Sequence, residues 1–171
     1  MDWMLIKPSF AIEPLLTRVP WCQREVLLSL VELAGEIASE GNEGRSLGTL
    51  FTVGHAERVL QHSRALILDP LQGHVPHATH IKDPRLRGTL KELALLDGAF
   101  VVADDGTVVA ACRYLDVLTE RVHVPFGLGS RHLVAAAASK ELEVIAIVVS
   151  QTGVIRAFYD GELLGEGHAL G

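Results

Sequence analysis

The chain has 171 residues, of which 49% are hydrophobic and 5% are aromatic, and its formal net charge is −6 at pH 7. This length fits one domain, or one domain with a helical extension, and the acidic balance offers no general electrostatic field for holding DNA or RNA. The two cysteines lie far apart in the sequence, which favours a reduced cytoplasmic protein without disulfides. The sequence has no signal-peptide pattern, and no window approaches the roughly 18 apolar residues of a membrane span. We therefore expect a cytoplasmic protein with neither a nucleic-acid nor a membrane partner.

The first 45 residues are predicted to form an N-terminal arm followed by a helix. Pro8, Pro14 and Pro20 interrupt residues 1–20, which favours an irregular arm with at most one short helix. Apolar residues then recur at helical spacing from Gln23 to Glu40, and Gly41 and Gly44 follow. We therefore divide the chain into an N-terminal arm and helix (1–45) and a main domain (46–171).

The main domain alternates predicted strands and helices. Leu50–Gly54 is typical of a buried strand, and Pro84–Leu96 is typical of a helix with Asp83 as its N-cap. An Asp-Gly pair between two apolar runs predicts a hairpin of Ala99–Ala103 with Thr107–Cys112. Further elements are predicted in the order helix, central strand, strand and edge strand: Ser130–Lys140, Val144–Val149, Val154–Tyr159 and a segment near Leu163. The pattern indicates an α/β fold with a mixed central sheet covered by helices.

Three segments at the ends of predicted elements are candidate binding positions. Asp97-Gly98-Ala99 places a carboxylate beside small residues where a helix gives way to a strand. Gly129-Ser130-Arg131-His132 opens a predicted helix, where free N–H groups and a guanidinium favour binding of an anion such as phosphate. Ser150 follows the strand Val144–Val149. Taken singly, each segment is equally typical of an ordinary turn or helix cap.

A histidine-rich stretch offers a competing hypothesis. His74, His77 and His80 recur at every third residue, a spacing that could gather imidazoles around zinc. Pro76 prevents a regular helix there, and no cysteine or carboxylate pair stands nearby to complete a site. A solvent-exposed loop is therefore the better explanation of the three histidines, and the alternative is a zinc site in an interaction protein.

The candidate segments resemble, in this order and at this spacing, the diadenylate cyclase (DAC) domain, the nucleotide-binding domain of the DisA type. That family is marked by an Asp-Gly-Ala motif and, some thirty residues later, a Gly-Thr/Ser-Arg-His-Arg motif. The chain has Asp97-Gly98-Ala99 and Gly129-Ser130-Arg131-His132-Leu133, and Gly48-Thr49-Leu50-Phe51 is similar to a family strand. The likeness runs from about Gly48 to Tyr159.

The resemblance implies a nucleotidyltransferase that condenses two ATP molecules into the second messenger cyclic di-AMP and releases two pyrophosphates. It implies Mg²⁺ or Mn²⁺ as cofactor, and a homo-oligomer in which two domains meet face to face, each presenting one ATP. Catalysis would fall to Asp97, which would also hold the metal, and to Arg131 and His132. The implied ATP-binding residues are Gly98, Ala99, Leu115, Gly129, Ser130, Arg131, His132 and Ser150.

The sequence also departs from the family pattern. Leu133 stands where the family has its second arginine, and Gln151 stands where some members carry an acidic residue. Loss of a guanidinium near a triphosphate would weaken ATP binding by about 1–3 kcal/mol, the scale of a hydrogen bond to a charged group. The alternative function is therefore a catalytically weak or inactive module that binds ATP or cyclic di-AMP.

Overall fold

The structure, a computed structural model, describes residues 12–40 and 48–168. Within these ranges the helices are α1 (Glu13–Arg18), α2 (Arg24–Glu40), α3 (Ala56–Gln61), α4 (Pro84–Leu93) and α5 (Ser130–Glu141). The strands are β1 (Thr49–Val53), β2 (Ser63–Ala65), β3 (Ala99–Val102), β4 (Val108–Leu115), β5 (Ile145–Val149), β6 (Val154–Tyr159) and β7 (Glu162–His168). Most of the predicted arm, and the glycines expected to end α2, lie outside the described residues.

The seven strands form one mixed sheet in the order β2-β4-β3-β1-β5-β6-β7. β1 and β3 run parallel, and the other neighbouring strands pair antiparallel. Every residue of β1, β3 and β5 is buried, which explains why these segments read as continuous apolar runs. The predicted α/β fold with a mixed central sheet is confirmed.

Helices cover both faces of the sheet. Alternation along β1 sends Phe51 into one apolar cluster and Leu50 into the other. The Phe51 cluster includes residues of α1, α2 and α4, whereas the Leu50 cluster includes residues of α3 and α5. Because α1 and α2 share a core with the sheet, the helical extension is packed onto the main domain, while the division at residue 45 stays a prediction. No helix within 12–40 and 48–168 is long and apolar enough to cross a membrane.

Two element ends differ from the sequence prediction by three residues, and both position the candidate site. α4 ends at Leu93 instead of Leu96, because the following N–H groups of Leu95 and Leu96 bond to carbonyls three residues back. β4 continues past Cys112 to Leu115. Cys112 has a φ of 57° beside a shift in register with β3, and the strand then pairs with β2. This irregularity hides the strand's full length from a period-two pattern.

Candidate active site

The loop between α4 and β3 presents the Asp97 carboxylate. Gly98 has a φ of 107°, and a Cβ atom there would lie 2.6 Å from the backbone of Cys112, so this position requires glycine. The tight approach to β4 fixes the loop, and the Gly98 N–H donates to Asp97 Oδ1 at 2.8 Å. Asp97 itself is 61% exposed. The carboxylate is therefore both oriented by the backbone and accessible to a ligand.

The N-terminus of α5 lies opposite this loop. Gly129 is the N-cap and supplies no capping side chain to the first N–H groups of α5, of which the His132 N–H donates to the Gly129 carbonyl at 3.1 Å. Arg131 Nη2 donates to Asp97 Oδ1 at 3.0 Å, and the Arg131 side chain is only 22% exposed. The structure thus joins the two motifs that the sequence separates by 34 residues.

Two cavities adjoin at Ser130 and Arg131, which line both of them. The first, of about 220 Å³, is also lined by Asp97, Gly98, Ala99 and Leu115. The second, of about 390 Å³, is also lined by Gly48, Gly129, His132, Ser150 and Arg156. Each of the predicted site residues therefore lines at least one of two adjoining cavities, and Ser130 and Arg131 line both.

Ser150 faces the second cavity from the turn between β5 and β6. Its hydroxyl accepts the N–H of Val154 at 3.0 Å and lies 2.9 Å from the hydroxyl of Thr152. The Ser150 N–H donates to the Val154 carbonyl at 2.8 Å, which closes the turn. These bonds explain the rigid placement of the hydroxyl at the cavity wall.

His132 points away from open solvent and is nearly buried beside Phe158. Burial, followed by the positive charges of Arg156 and Arg131, lowers the pKa of His132 from 6.5 to about 4. Arg156 Nη1 lies 3.1 Å from His132 Nε2. Because a guanidinium has only donors, Nε2 accepts and the proton sits on Nδ1. His132 is thus a neutral acceptor near pH 7, so the cationic character of this wall comes from the arginines.

Sequence reasoning missed two arginines that line these cavities. Arg113 lines the first cavity, but its side chain donates to the Ser63 hydroxyl and to the carbonyls of Leu60 and Ser63, which ties β4 to the α3–β2 connection. Arg156 lines the second cavity from β6. The signal that could have identified Arg156 is its position inside an otherwise apolar strand, because charged side chains are seldom buried without a partner or ligand.

The histidine-rich stretch does not assemble a metal site in the described part of the chain. No group of three or more His, Cys, Asp or Glu side chains there could hold a metal ion. His80 instead bonds through Nε2 to the Asp105 carbonyl at 2.8 Å and accepts the Lys82 N–H through Nδ1 at 3.2 Å. These bonds dock the stretch against the β3–β4 hairpin, which is a structural role.

Fold and site together define a nucleotide-binding domain of the DAC class. Residues 36–163 match the family described as DisA bacterial checkpoint controller nucleotide-binding. The chain belongs to this family.

Curated relatives and solved structures agree with this assignment. The chain is 43% identical over 145 residues to a diadenylate cyclase of Methanocaldococcus jannaschii and 39% identical over 143 residues to one of Haloferax volcanii. These matches cover 84% and 82% of this chain but 46% and 52% of the relatives, so the chain spans about half their length.

Two crystal structures share the fold at 19% sequence identity. One is a hypothetical membrane spanning protein from Bacillus cereus, with a TM-score of 0.61 over 85% of this chain and 64% of that chain. The other is a double mutant of DacA from Staphylococcus aureus, with a TM-score of 0.52 over 82% of this chain and 85% of that chain.

Proposed function

We propose that the protein is a diadenylate cyclase that converts two ATP molecules into cyclic di-AMP and two pyrophosphates. The observation that carries this proposal is the contact between Asp97 and Arg131 at the border of the two cavities. A carboxylate and a guanidinium at one point suit a reaction in which a hydroxyl loses a proton while phosphate charge is stabilised. Family membership and the two curated relatives support the same activity.

In the proposed reaction each 3′-hydroxyl attacks the α-phosphorus of the other ATP. A new O3′–Pα bond forms, the bond from Pα to the β-phosphate oxygen breaks, and pyrophosphate leaves with that electron pair. Asp97 assists removal of the hydroxyl proton, which ends in solvent. Arg131, Ser130 and the α5 N-terminus stabilise the developing charge through N–H and O–H donors.

The nucleoside is assigned to the first cavity. Gly98 and Ala99 leave its wall without bulky side chains, and Leu115 adds an apolar surface suited to a base or ribose. The phosphates then extend past Arg131 towards Gly129 and Ser150 in the second cavity. Since ATP is a cytoplasmic metabolite, we assign the reaction to the cytoplasm.

The residues present fit a divalent cation that is shared with the substrate. Mg²⁺ in nucleotide enzymes is commonly held by one or two carboxylates together with phosphate oxygens, and Asp97 is an exposed carboxylate at the border of the phosphate cavity. Bound Mg²⁺ or Mn²⁺ would offset phosphate charge and favour ionisation of the attacking hydroxyl.

A face-to-face homo-oligomer is proposed because each ATP must meet a second one. Exposed apolar side chains lie close in sequence to residues that line the cavities, which favours a protein partner over open solvent. Leu66 lines the first cavity and Leu68, two residues on, is 95% exposed. Phe126, beside the Gly127–Leu128 wall of the second cavity, is fully exposed.

The test of the proposed function is the variant Asp97→Asn. This change keeps the side-chain shape and the exposed position but removes the charge that handles the metal and the hydroxyl proton. We expect cyclic di-AMP formation to fall by about 100-fold or more, on the scale of a lost acid–base group. Product is measured by chromatography after incubation with ATP and Mg²⁺ or Mn²⁺.

The matched control is Asp116→Asn, which removes the same charge from an exposed aspartate that lines neither cavity. It should form product at the wild-type rate. Equal rates for Asp97→Asn and wild type would contradict the assigned role of Asp97. A wild-type protein that binds ATP without turnover would favour the binding module instead.

A further inference from the structure

The second cavity has the composition of an anion site beyond the residues already assigned. Its lining includes two arginines, Arg131 and Arg156, the neutral His132 and the N-terminal turn of α5. None of the described residues that line it is an aspartate or a glutamate. Each guanidinium has a carboxylate partner that does not line this cavity, Asp97 for Arg131 and Glu166 for Arg156, so the cationic groups themselves form the cavity wall.

Arg156 is held in place from two sides. In the antiparallel β6–β7 pair Arg156 is opposite Glu166, and Arg156 Nε donates to Glu166 Oε2 at 2.8 Å. Arg156 Nη1 donates to His132 Nε2 at 3.1 Å. The Arg156 side chain is only 14% exposed. These two bonds use two of the five N–H groups of the guanidinium and fix its plane at the cavity wall.

The two arginines differ in position. Arg131 lines both cavities, whereas Arg156 lines only the second. A nucleotide whose nucleoside fills the first cavity places its α-phosphate at the border, near Arg131, and its β- and γ-phosphates farther in. Arg156 is then within the part of the cavity that receives the terminal phosphates.

We propose that Arg156, positioned by Glu166 and His132, binds the β- and γ-phosphates of ATP and hence the pyrophosphate that leaves. This inference rests on the proposed function for the identity of the ligand. It assigns different phosphates of ATP to the two arginines. Arg131 acts on the phosphate that reacts, and Arg156 acts on the leaving group, where a fork of N–H donors matches phosphate oxygens.

The test compares ATP, ADP, AMP and adenosine on Arg156→Gln by calorimetry. Glutamine removes the charge yet keeps an amide that can bond to Glu166. We expect ATP affinity to fall about ten- to hundred-fold, on the scale of a lost charged hydrogen bond, while AMP and adenosine affinities stay within about twofold of wild type. Arg85→Ala is the control, since Arg85 is exposed on α4 and lines neither cavity.

Two results would overturn the inference. One is an ATP affinity of Arg156→Gln equal to that of Arg85→Ala, and the other is an equal loss for ATP and AMP, which would indicate a general disturbance of the fold. If Arg156→Gln does not fold, the wild-type protein is titrated with inorganic pyrophosphate while the guanidinium N–H signals are followed by NMR. The Arg156 signal, assigned with Arg156→Lys, is expected to shift, and an unmoved signal would overturn the inference.

These binding measurements separate the inference from the proposed function. ATP binding with the expected Arg156 pattern but no cyclic di-AMP would refute the cyclase and leave the phosphate-binding role standing. Normal cyclic di-AMP formation by Arg156→Gln, with unchanged ATP affinity, would refute the role of Arg156 alone. A wild-type protein that does not bind ATP would refute both.

Discussion

Single residues at the site are constrained by close packing as much as by charge. A Cβ atom on Gly48 would lie 2.9 Å from the Val149 carbonyl oxygen and 3.2 Å from Arg131 Cδ. Gly48 therefore leaves the space through which Arg131 reaches Asp97. On the other side of the ion pair, the positive φ of Gly98 lets the loop that carries Asp97 approach the backbone of Cys112. Gly48 directly precedes β1 and Gly98 directly precedes β3, so the site lies at the N-terminal ends of these two parallel strands.

The buried His132 makes folding stability depend on pH. Its pKa of about 4 in the folded protein lies below its ordinary value of 6.5, so the unfolded chain takes up a proton first as the pH falls. The free energy of unfolding contributed by neutral His132 is present above pH 6.5 and is lost between about pH 6.5 and pH 4. The loss is on the order of 3 kcal/mol.

The variant His132→Gln isolates this contribution, because glutamine can still accept a hydrogen bond from Arg156 but does not titrate. Urea unfolding at pH 7, 6, 5 and 4.5 gives the free energy of unfolding of both proteins. The wild-type value should fall relative to that of His132→Gln as the pH decreases. A difference that stays constant over this range would contradict the assigned pKa of His132.

At the level of elements, an ion-pair network fastens α2 to α4. Glu36 is buried on α2, and its Oε2 accepts from Arg87 Nη2 at 2.9 Å and lies 3.7 Å from Lys91 Nζ. Arg87 also donates to the Ser29 carbonyl at 3.1 Å. Removing the carboxylate would leave a largely buried guanidinium without its charge partner, which is the costly way to break a buried pair.

We therefore expect Glu36→Ala to lower the free energy of unfolding by about 1.5–3 kcal/mol, on the scale of a hydrogen bond between charged groups. Glu40→Ala is the matched control on the same helix, because Glu40 pairs with Lys91 at an exposed position. Its cost should stay below about 1 kcal/mol, as for surface ion pairs. If chemical denaturation gives the same loss in the free energy of unfolding for both variants, the larger stabilisation assigned to Glu36 is contradicted.

The elements that sequence periodicity predicts well are those buried on both faces or along one stripe. β1, β5 and α2 read clearly because burial imposes continuous or helical apolar patterns. The extension of β4 to Leu115 could not be predicted, since it depends on the left-handed Cys112 and on pairing with the short strand β2. Local propensity does not encode such long-range pairing.

Some residues of the candidate site could likewise be predicted from the sequence, and others could not. Asp97-Gly98-Ala99 and Gly129-Ser130-Arg131-His132 stand out in the sequence because motif residues are contiguous. Their meeting point could be anticipated only through the resemblance, since it depends on the register of the sheet and the direction of α5. Arg156 was not predicted because its place at the cavity follows from the β6 position opposite Glu166 and from His132 on a separate helix.

For the whole molecule, an acidic protein has a cavity whose described lining includes two arginines and no aspartate or glutamate. The net charge of −6 disfavours general binding of polyanions, and the proposed phosphate site is the cavity lined by Arg131 and Arg156. The exposed side chains of Leu68 and Phe126 are the apolar surface on which the proposed contact with a second copy depends. The packed N-terminal helices brace the sheet face opposite α5. Each feature agrees with cyclisation of two nucleotides between two subunits.

The most direct test of this account is the product stoichiometry of the wild-type protein. The protein is incubated with ATP and Mg²⁺ or Mn²⁺, and cyclic di-AMP and pyrophosphate are quantified over a range of protein concentrations. The account predicts two pyrophosphates for each cyclic di-AMP and a specific activity that falls on dilution, as the two facing sites separate. Saturable ATP binding with no cyclic di-AMP at either metal would contradict it.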